Sequence, residues 1–224
     1  MSIKQNLEEV FISIPANVNL VAVSKTKPIS LILEAYQSGQ RVFGENNAIE
    51  LAKKQQALPK DILWHFIGHL QTNKVKYIAP FVHLIHSVDS SRLLNVIDKE
   101  AKKNSRVIDC LLQFYIATEE SKYGFDMNEA NILLNSEEFI EMKNIRIVGV
   151  MGMATYTDMD QLIHQEFAQL KIYFENLRQL FFRDKPYFKE ISMGMSGDYQ
   201  IAIKEGSTMI RIGSSIFGTR ANKL

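Results

Sequence analysis

The sequence lacks several features that would point to particular classes of protein. Its only cysteine, Cys110, cannot form an intrachain disulfide or a thiolate metal cluster, so nothing indicates an oxidising compartment. The 26 basic and 25 acidic side chains nearly cancel, which argues against a nucleic-acid or anionic-membrane surface. No apolar run approaches the roughly 18 residues of a membrane helix, and Glu8 and Glu9 argue against an N-terminal targeting peptide. We therefore expect a soluble, cytoplasmic protein.

What the sequence has instead is a regular alternation of short, β-rich apolar runs with helix-spaced patterns. The apolar runs predict eight strands, at residues 19–24, 41–45, 62–68, 84–89, 106–116, 145–153, 187–195 and 208–214. Helical patterns fall between them, at residues 30–38, 46–57, 71–78, 91–104, 128–135, 158–182 and 198–204. This alternation predicts an α/β fold, a TIM-type (β/α)8 barrel that spans residues 1–224 as one domain. A doubly wound open sheet is the alternative, because the sequence does not show the strand order.

A lysine stands at the carboxyl end of the first predicted strand. Lys25 follows the strand LVAVS and shares the parity of Val21 and Val23, so it should point with them toward the barrel interior. Burial there lowers the pKa of an amine and favours its nucleophilic form. Lys27 lies past the strand beside Pro28, and we expect it to be solvated. The alternative is that Lys25 too is an ordinary strand-end lysine, with its ammonium in water.

Two late segments, SMGMSGD and RIGSSIFG, place glycine and serine where a strand meets the next element. Amides and hydroxyls at such junctions bind anions, and barrels often hold phosphate after strands seven and eight, although helix caps look similar in sequence. Arg211 lies within one of these strands, so its guanidinium either enters the barrel mouth or pairs outward with a helix. A phosphate site facing a lysine across the barrel seam suits pyridoxal phosphate (PLP), which has an aldehyde for an amine and an anionic far end.

The sequence resembles the pyridoxal phosphate homeostasis protein family, whose members are single barrels similar to the N-terminal domain of alanine racemase. The resemblance covers nearly the whole chain and rests on six motifs in order: LVAVSKTKP, GQRVFGENN, WHFIGHLQTNK, GVMGMA, SMGMSGD and GSTMIRIGSSIFG. It departs at two positions. Asn47 stands where the family often has tyrosine, and Gly197 stands where it often has aspartate, which leaves Asp198 as the only acid of that segment.

The resemblance implies roles for individual residues. Lys25 would form an aldimine with PLP, Arg211 would face the pyridine nitrogen, and Asn46 of the GEN motif would lie beside the cofactor. An arginine at that nitrogen does not readily supply a proton, so the ring would remain a weak electron sink. No catalytic residue and no metal site is predicted. The complete set of predicted cofactor-binding residues is Lys25, Asn46, Ser192, Ser196, Gly197, Arg211, Gly213 and Ser214.

The function that the resemblance implies is intracellular vitamin B6 homeostasis, with PLP held on Lys25 and delivered to PLP-dependent apoenzymes by a monomer or weak dimer. An amino-acid racemase of low activity is the alternative, and a Schiff-base aldolase is a third. A racemase needs two proton-transfer groups, and alanine racemase takes its second from an additional β-domain. With Leu224 only ten residues beyond Ser214, we expect no such domain, which leaves Tyr156 or His65 as the candidates for the second group.

Overall fold

The computed structural model describes residues 2–117 and 123–218, and eight strands within them form a closed barrel in sequential order. Neighbouring strands are parallel, and the first strand pairs with the eighth to close the barrel, with Val21 beside Arg211 and Ala22 beside Ile212. An open doubly wound sheet would leave two unpaired edges, so that alternative is wrong. The strands are β1 Asn19–Val23, β2 Val42–Glu45, β3 Leu63–Phe66, β4 Leu84–Val88, β5 Ile108–Gln113, β6 Ile145–Met151, β7 Glu190–Met195 and β8 Met209–Ile212.

Helices surround the barrel at all the positions that the sequence pattern predicts. The segment at residues 71–78 divides into a 3-10 turn, Thr72–Lys74, and a short α-helix. Three helices, at Ile3–Ser13, Glu137–Glu141 and Ser214–Phe217, were not predicted. The first begins at a capping box in which Ser2 and Gln5 exchange hydrogen bonds. The helices are α1 Ile3–Ser13, α2 Ile29–Gln37, α3 Ala48–Ala57, α4 Val75–Ile78, α5 Ser91–Lys103, α6 Met127–Asn135, α7 Glu137–Glu141, α8 Asp160–Phe181, α9 Tyr199–Lys204 and α10 Ser214–Phe217.

The core has two parts because successive strand residues face opposite sides of the barrel wall. The larger part lies between the strands and the surrounding helices, and it contains the outward residues Trp64 and Phe66 of β3. The inner part is a small apolar cluster of six residues: Val21, Leu84, Leu111, Val148, Met151 and Met209. Four buried polar side chains, His65, His86, Ser192 and Arg211, share the inner face of the wall. The barrel interior is therefore partly polar.

Among the described residues, none of the helices combines the length and the hydropathy that crossing a membrane would require. In the same part of the chain, histidine, cysteine and carboxylate side chains nowhere form a group of three or more that could hold a metal ion.

Candidate functional site

Lys25 lies in the turn that follows β1, half-buried at the carboxyl-terminal end of the barrel. Both of its neighbours are fixed by hydrogen bonds. The buried Ser24 hydroxyl donates to Glu45 Oε1 over 2.5 Å, and the Thr26 amide donates to Glu50 Oε1 over 2.9 Å. Thr26 has a φ of 65°, in the left-handed region that non-glycine residues seldom occupy. The turn therefore has a defined shape, and this shape sets where Lys25 can reach.

A buried ion pair between Lys54 and Glu45 holds this turn in place through hydrogen bonds. Lys54 Nζ donates to Glu45 Oε1 at 2.7 Å, to Glu50 Oε1 at 2.7 Å and to the Ser24 carbonyl at 2.8 Å. The Lys54 and Glu45 side chains are only 6% and 0% exposed. Burial raises the pKa of the Glu45 carboxyl, and the nearby Lys54 ammonium opposes that rise. This network was not predicted, because its only signal in the sequence is a lysine nine residues after the glutamate of the GEN motif.

Arg211 points into the barrel from β8 and is 4% exposed. Its Nη1 donates to Ser192 Oγ over 2.6 Å, and its Nη2 donates to the Gly152 carbonyl over 3.2 Å. Burial lowers the pKa of Arg211 to about 10, with Asp198 opposing the change, so the guanidinium stays charged at neutral pH. Within the described residues it forms no ion pair, and the outward salt bridge that the sequence left open is not made. A buried cation that hydrogen-bonds only a hydroxyl and a carbonyl in this part of the chain is suited to a ligand that accepts hydrogen bonds.

Ser192 connects Arg211 to two histidines deeper in the barrel. Its Oγ lies 2.9 Å from His86 Nδ1, and His86 Nε2 lies 3.0 Å from His65 Nδ1. Burial lowers the pKa of His65 to about 3 and that of His86 well below its ordinary value, so both imidazoles are neutral. Ser192 therefore lies behind Arg211, as its hydrogen-bond partner, rather than at the open mouth with the other predicted site residues.

The segment after β7 turns sharply into α9. Gly194 has a φ of 97°, and a Cβ at that position would lie 2.6 Å from the Ala202 Cβ, so only glycine fits. Asp198 Oδ1 accepts a hydrogen bond from the Met195 amide over 2.5 Å and closes the turn. Burial raises the pKa of Asp198. Its carboxylate is thus occupied in shaping the loop that carries Ser196 and Gly197.

The two glycine- and serine-containing segments meet at one side of the mouth. The Gly213 amide donates to Ser196 Oγ over 3.4 Å, which joins the loop after β7 to the loop after β8. Ser214 is exposed at the start of α10, and a Cβ at Gly197 would meet no atom within 4 Å. A Cβ at Gly213 would lie 3.2 Å from the Val23 Cβ, so this side of the mouth adjoins the end of β1. The structure therefore brings these four residues together next to the turn of Lys25.

The loop after β2 contributes Asn46 beside that turn. Asn46 is exposed and lines a pocket of about 240 Å³ together with His69 and Lys74. Gly68 packs tightly over it, since a Cβ there would lie 2.6 Å from the Asn46 Cβ. The neighbouring Asn47 has a structural role. Its side chain accepts hydrogen bonds from the amides of residues 49 and 50 and caps α3.

Lys27 is not free in solvent, and the expectation that it would be solvated is wrong. It is half-buried, and its ammonium donates to the carbonyls of Phe217 and Gly218 over 3.0 and 2.9 Å. These carbonyls belong to the last turn of α10 and its C-cap, where a cation also complements the helix dipole. Lys27 therefore ties the turn after β1 to the element that follows β8.

Comparisons with known proteins agree with this architecture. Residues 1–221 match the family model described as alanine racemase, N-terminal domain. A pyridoxal phosphate homeostasis protein of Aquifex aeolicus is 39% identical over 90% of this chain and 86% of its own length. One of Vibrio alginolyticus is 36% identical over 98% of both chains.

Solved structures give the same relationship. PipY of Synechococcus elongatus, solved with PLP bound, superposes with a TM-score of 0.86 at 33% identity, over 97% of this chain and 100% of its own. Alanine racemase from Bartonella henselae, at 19% identity and a TM-score of 0.72, shares the fold over 97% of this chain and 58% of its own. These matches show that the chain belongs to the pyridoxal phosphate homeostasis proteins, within the family defined by the N-terminal domain of alanine racemase.

Proposed function

We propose that this protein binds PLP at the carboxyl-terminal mouth of its barrel and acts in vitamin B6 homeostasis in the cytoplasm. Relatives that carry the name pyridoxal phosphate homeostasis protein support the role, and PipY with PLP bound supports the ligand. In this chain the observation that carries the proposal is Arg211, a buried guanidinium at the mouth that makes no salt bridge among the described residues. A pyridine nitrogen is a suitable acceptor for such a donor.

The residues around Arg211 match the other parts of the cofactor. Lys25 supplies the amine that condenses with the PLP aldehyde, and the shaped turn on which it sits limits its reach. Ser196, Gly213 and Ser214 supply hydroxyl and amide donors for the phosphate, with Gly197 leaving its backbone accessible. Asn46 flanks the cofactor from the loop after β2. In this assignment residues 1–224 form a single PLP-binding domain.

The chemistry of Arg211 favours storage over turnover. PLP, when bound, supplies an aldehyde and a ring that withdraws electrons most strongly when its nitrogen is protonated. Because the pKa of Arg211 is about 10, this residue keeps its proton at neutral pH and does not donate one to the ring. The cofactor would then be held with little activation of the bonds around the amine.

The candidates for a second proton-transfer group also favour a carrier over a racemase. His65 is 3% exposed, has a pKa of about 3 and is hydrogen-bonded to His86 in the barrel interior. Tyr156 is 98% exposed on the loop after β6. Neither environment suits a group that returns a proton to a bound amino acid at neutral pH. We therefore propose a monomer or weak dimer that passes PLP to apoenzymes, with low-activity racemisation as the competing function.

The test is covalent trapping of the cofactor. Purified protein with added PLP should show the absorbance of a lysine-linked cofactor, and borohydride reduction should fix PLP to Lys25, as seen by peptide mass spectrometry. The K25A variant should lose both signals, whereas the matched K27A variant should keep the adduct on Lys25. An identical absorbance band in wild type and K25A, or a PLP adduct on another lysine only, would refute the assignment. Alanine racemisation as fast as that of a dedicated racemase would refute the carrier role.

A further inference from the structure

A second cavity opens at the amino-terminal end of the barrel, opposite the mouth that carries Lys25. Its volume is about 560 Å³, and its walls come from the beginnings of all eight strands and the loops before them. We call it the lower cavity. None of the residues assigned to PLP lines it, so the function proposed above leaves it without a role.

The floor of the lower cavity is apolar. Leu84, Val148 and Met209 belong to the inner cluster of the barrel and also line the cavity, and Tyr187 packs against the same cluster from the rim. One wall is a flat pair of rings, because His83 stacks on His65 with a centroid distance of 5.6 Å and an interplanar angle of 11°. Apolar and aromatic walls around a few polar groups are typical of small-molecule sites.

His65 is the buried polar group that faces this cavity. It is 3% exposed, and only its Nδ1 has a hydrogen-bond partner within residues 2–117 and 123–218. Its Nε2 is left without one, although the side chain lines the cavity. Nε2 is accessible from the cavity rather than sealed inside the protein, so a ligand there can replace water as its hydrogen-bond partner.

The hydrogen-bond chain behind His65 assigns the proton on that nitrogen. The Arg211 guanidinium only donates, so Ser192 Oγ accepts from it and gives its own proton to the remaining partner, His86 Nδ1. The proton of His86 then lies on Nε2 and is donated to His65 Nδ1. Since His65 is neutral, its single proton lies on Nε2 and is directed away from His86. The cavity therefore offers a hydrogen-bond donor at His65 Nε2.

The charges around the lower cavity cancel one another. Arg146 donates to both carboxylate oxygens of Asp109 over 2.7 and 2.8 Å, and Lys189 lies 3.9 Å from Glu190. Two cations and two anions thus line the cavity as paired groups, with no surplus charge for an ionic ligand. The His65 donor, the apolar floor and the flat ring wall are the features that favour an uncharged ring as the ligand.

We propose that the lower cavity binds a small, uncharged heteroaromatic molecule, which accepts a hydrogen bond from His65 Nε2 and packs on Leu84, Val148 and Met209. Such a ligand accepts the hydrogen bond that water would otherwise accept from His65, and it covers apolar surface, while an ion would find no unpaired countercharge. This site is separate from the proposed PLP site and lies at the other end of the barrel.

The test uses quinoxaline as the probe, because it is uncharged, bicyclic and carries only acceptors. Naphthalene is the matched ligand, with the same shape and no acceptor. Methyl and histidine nitrogen NMR of the full chain, with and without added PLP, should show saturable shifts at Leu84, Val148, Met209 and His65. Quinoxaline should bind about fivefold more tightly than naphthalene, as one hydrogen bond predicts. The result should be the same without PLP, so it is independent of the cofactor assignment.

A variant at the cavity rim provides the protein control. Leu63 lines the cavity and is 38% exposed, so L63W should fill the opening and abolish the shifts. Leu180, 65% exposed on α8 and outside the cavity, gives the matched variant L180W, which should bind like wild type. If L63W does not fold, the comparison of quinoxaline with naphthalene on the wild-type protein tests the proposal by itself. Absence of saturable shifts, equal affinity for both ligands, or unchanged binding in folded L63W would each overturn the proposal.

Discussion

Replacing Lys54 by methionine tests the buried network beneath the turn of Lys25. The change keeps most of the side-chain volume and removes the ammonium that contacts Glu45, Glu50 and the Ser24 carbonyl. Removal of one partner from a buried pair leaves an uncompensated charge and costs about 3–5 kcal/mol. K54M should therefore lower the free energy of unfolding by about this amount at pH 8, measured by urea denaturation. K53M, at an exposed lysine of the same helix, should change it by less than about 0.5 kcal/mol.

The loss of stability in K54M should be larger at high pH than at low pH. Burial already holds the pKa of Glu45 above its unfolded value, and loss of Lys54 removes the main opposing influence. A carboxyl with a raised folded-state pKa contributes stability at pH values below its unfolded pKa, and this contribution is lost as pH rises through the folded pKa. The K54M penalty should therefore shrink as pH falls from 8 toward 5, because Glu45 becomes protonated in the variant.

A second substitution distinguishes the effect of an uncompensated Glu45 charge from that of a simple packing defect. In the double variant E45Q/K54M no buried charge remains at this position, so most of the lost stability should return. Borohydride trapping of PLP by K54M should also be slower, since the turn that carries Lys25 loses its support. The reasoning is refuted if K54M costs less than about 1 kcal/mol at pH 8, if its cost is the same at pH 5, or if E45Q/K54M is no more stable than K54M.

Two further predictions concern residues outside this network. G194A should lower the free energy of unfolding by about 1–3 kcal/mol, because φ is 97° there and a Cβ would lie 2.6 Å from the Ala202 Cβ. The matched variant G197A, where a Cβ meets no atom within 4 Å, should lower it by less than about 0.5 kcal/mol. Equal thermal unfolding of the two variants would contradict this prediction. Cys110 should not react with a thiol reagent in the native protein at pH 8, because complete burial raises the pKa of its thiol. It should react fully in urea. Rapid labelling of the folded protein would contradict the buried position.

Much of the fold follows from local patterns. All eight predicted strands are present, because short apolar runs buried on both faces are a strong signal for the parallel strands of a barrel. Their ends were less well predicted. The seventh strand begins at Glu190, not at residue 187, because Phe188 lies in the preceding turn and stacks on Phe182 with a centroid distance of 4.2 Å. Hydrophobicity alone does not distinguish such packing from strand pairing.

The candidate site was predicted less evenly. The segments after strands one, two, seven and eight were expected to meet, and the sequential strand order does bring them to one end of the barrel. Lys27 was predicted to be solvated because its hydrogen-bond partners, the carbonyls of Phe217 and Gly218, lie about 190 residues away in sequence. The capping role of Asn47 could have been found locally, since asparagine before a helical pattern is a common N-cap.

The sequence by itself determined the class of fold and the positions of the residues that are candidates for PLP, because both depend on local periodicity and on short motifs at strand ends. Only the tertiary structure decided which polar side chains contact one another inside the barrel. Ser192 and His86 are 106 residues apart, and His86 and His65 are 21 apart, yet they form one hydrogen-bond chain with Arg211. Barrel closure and strand register set those distances, and they also place His65 against the lower cavity.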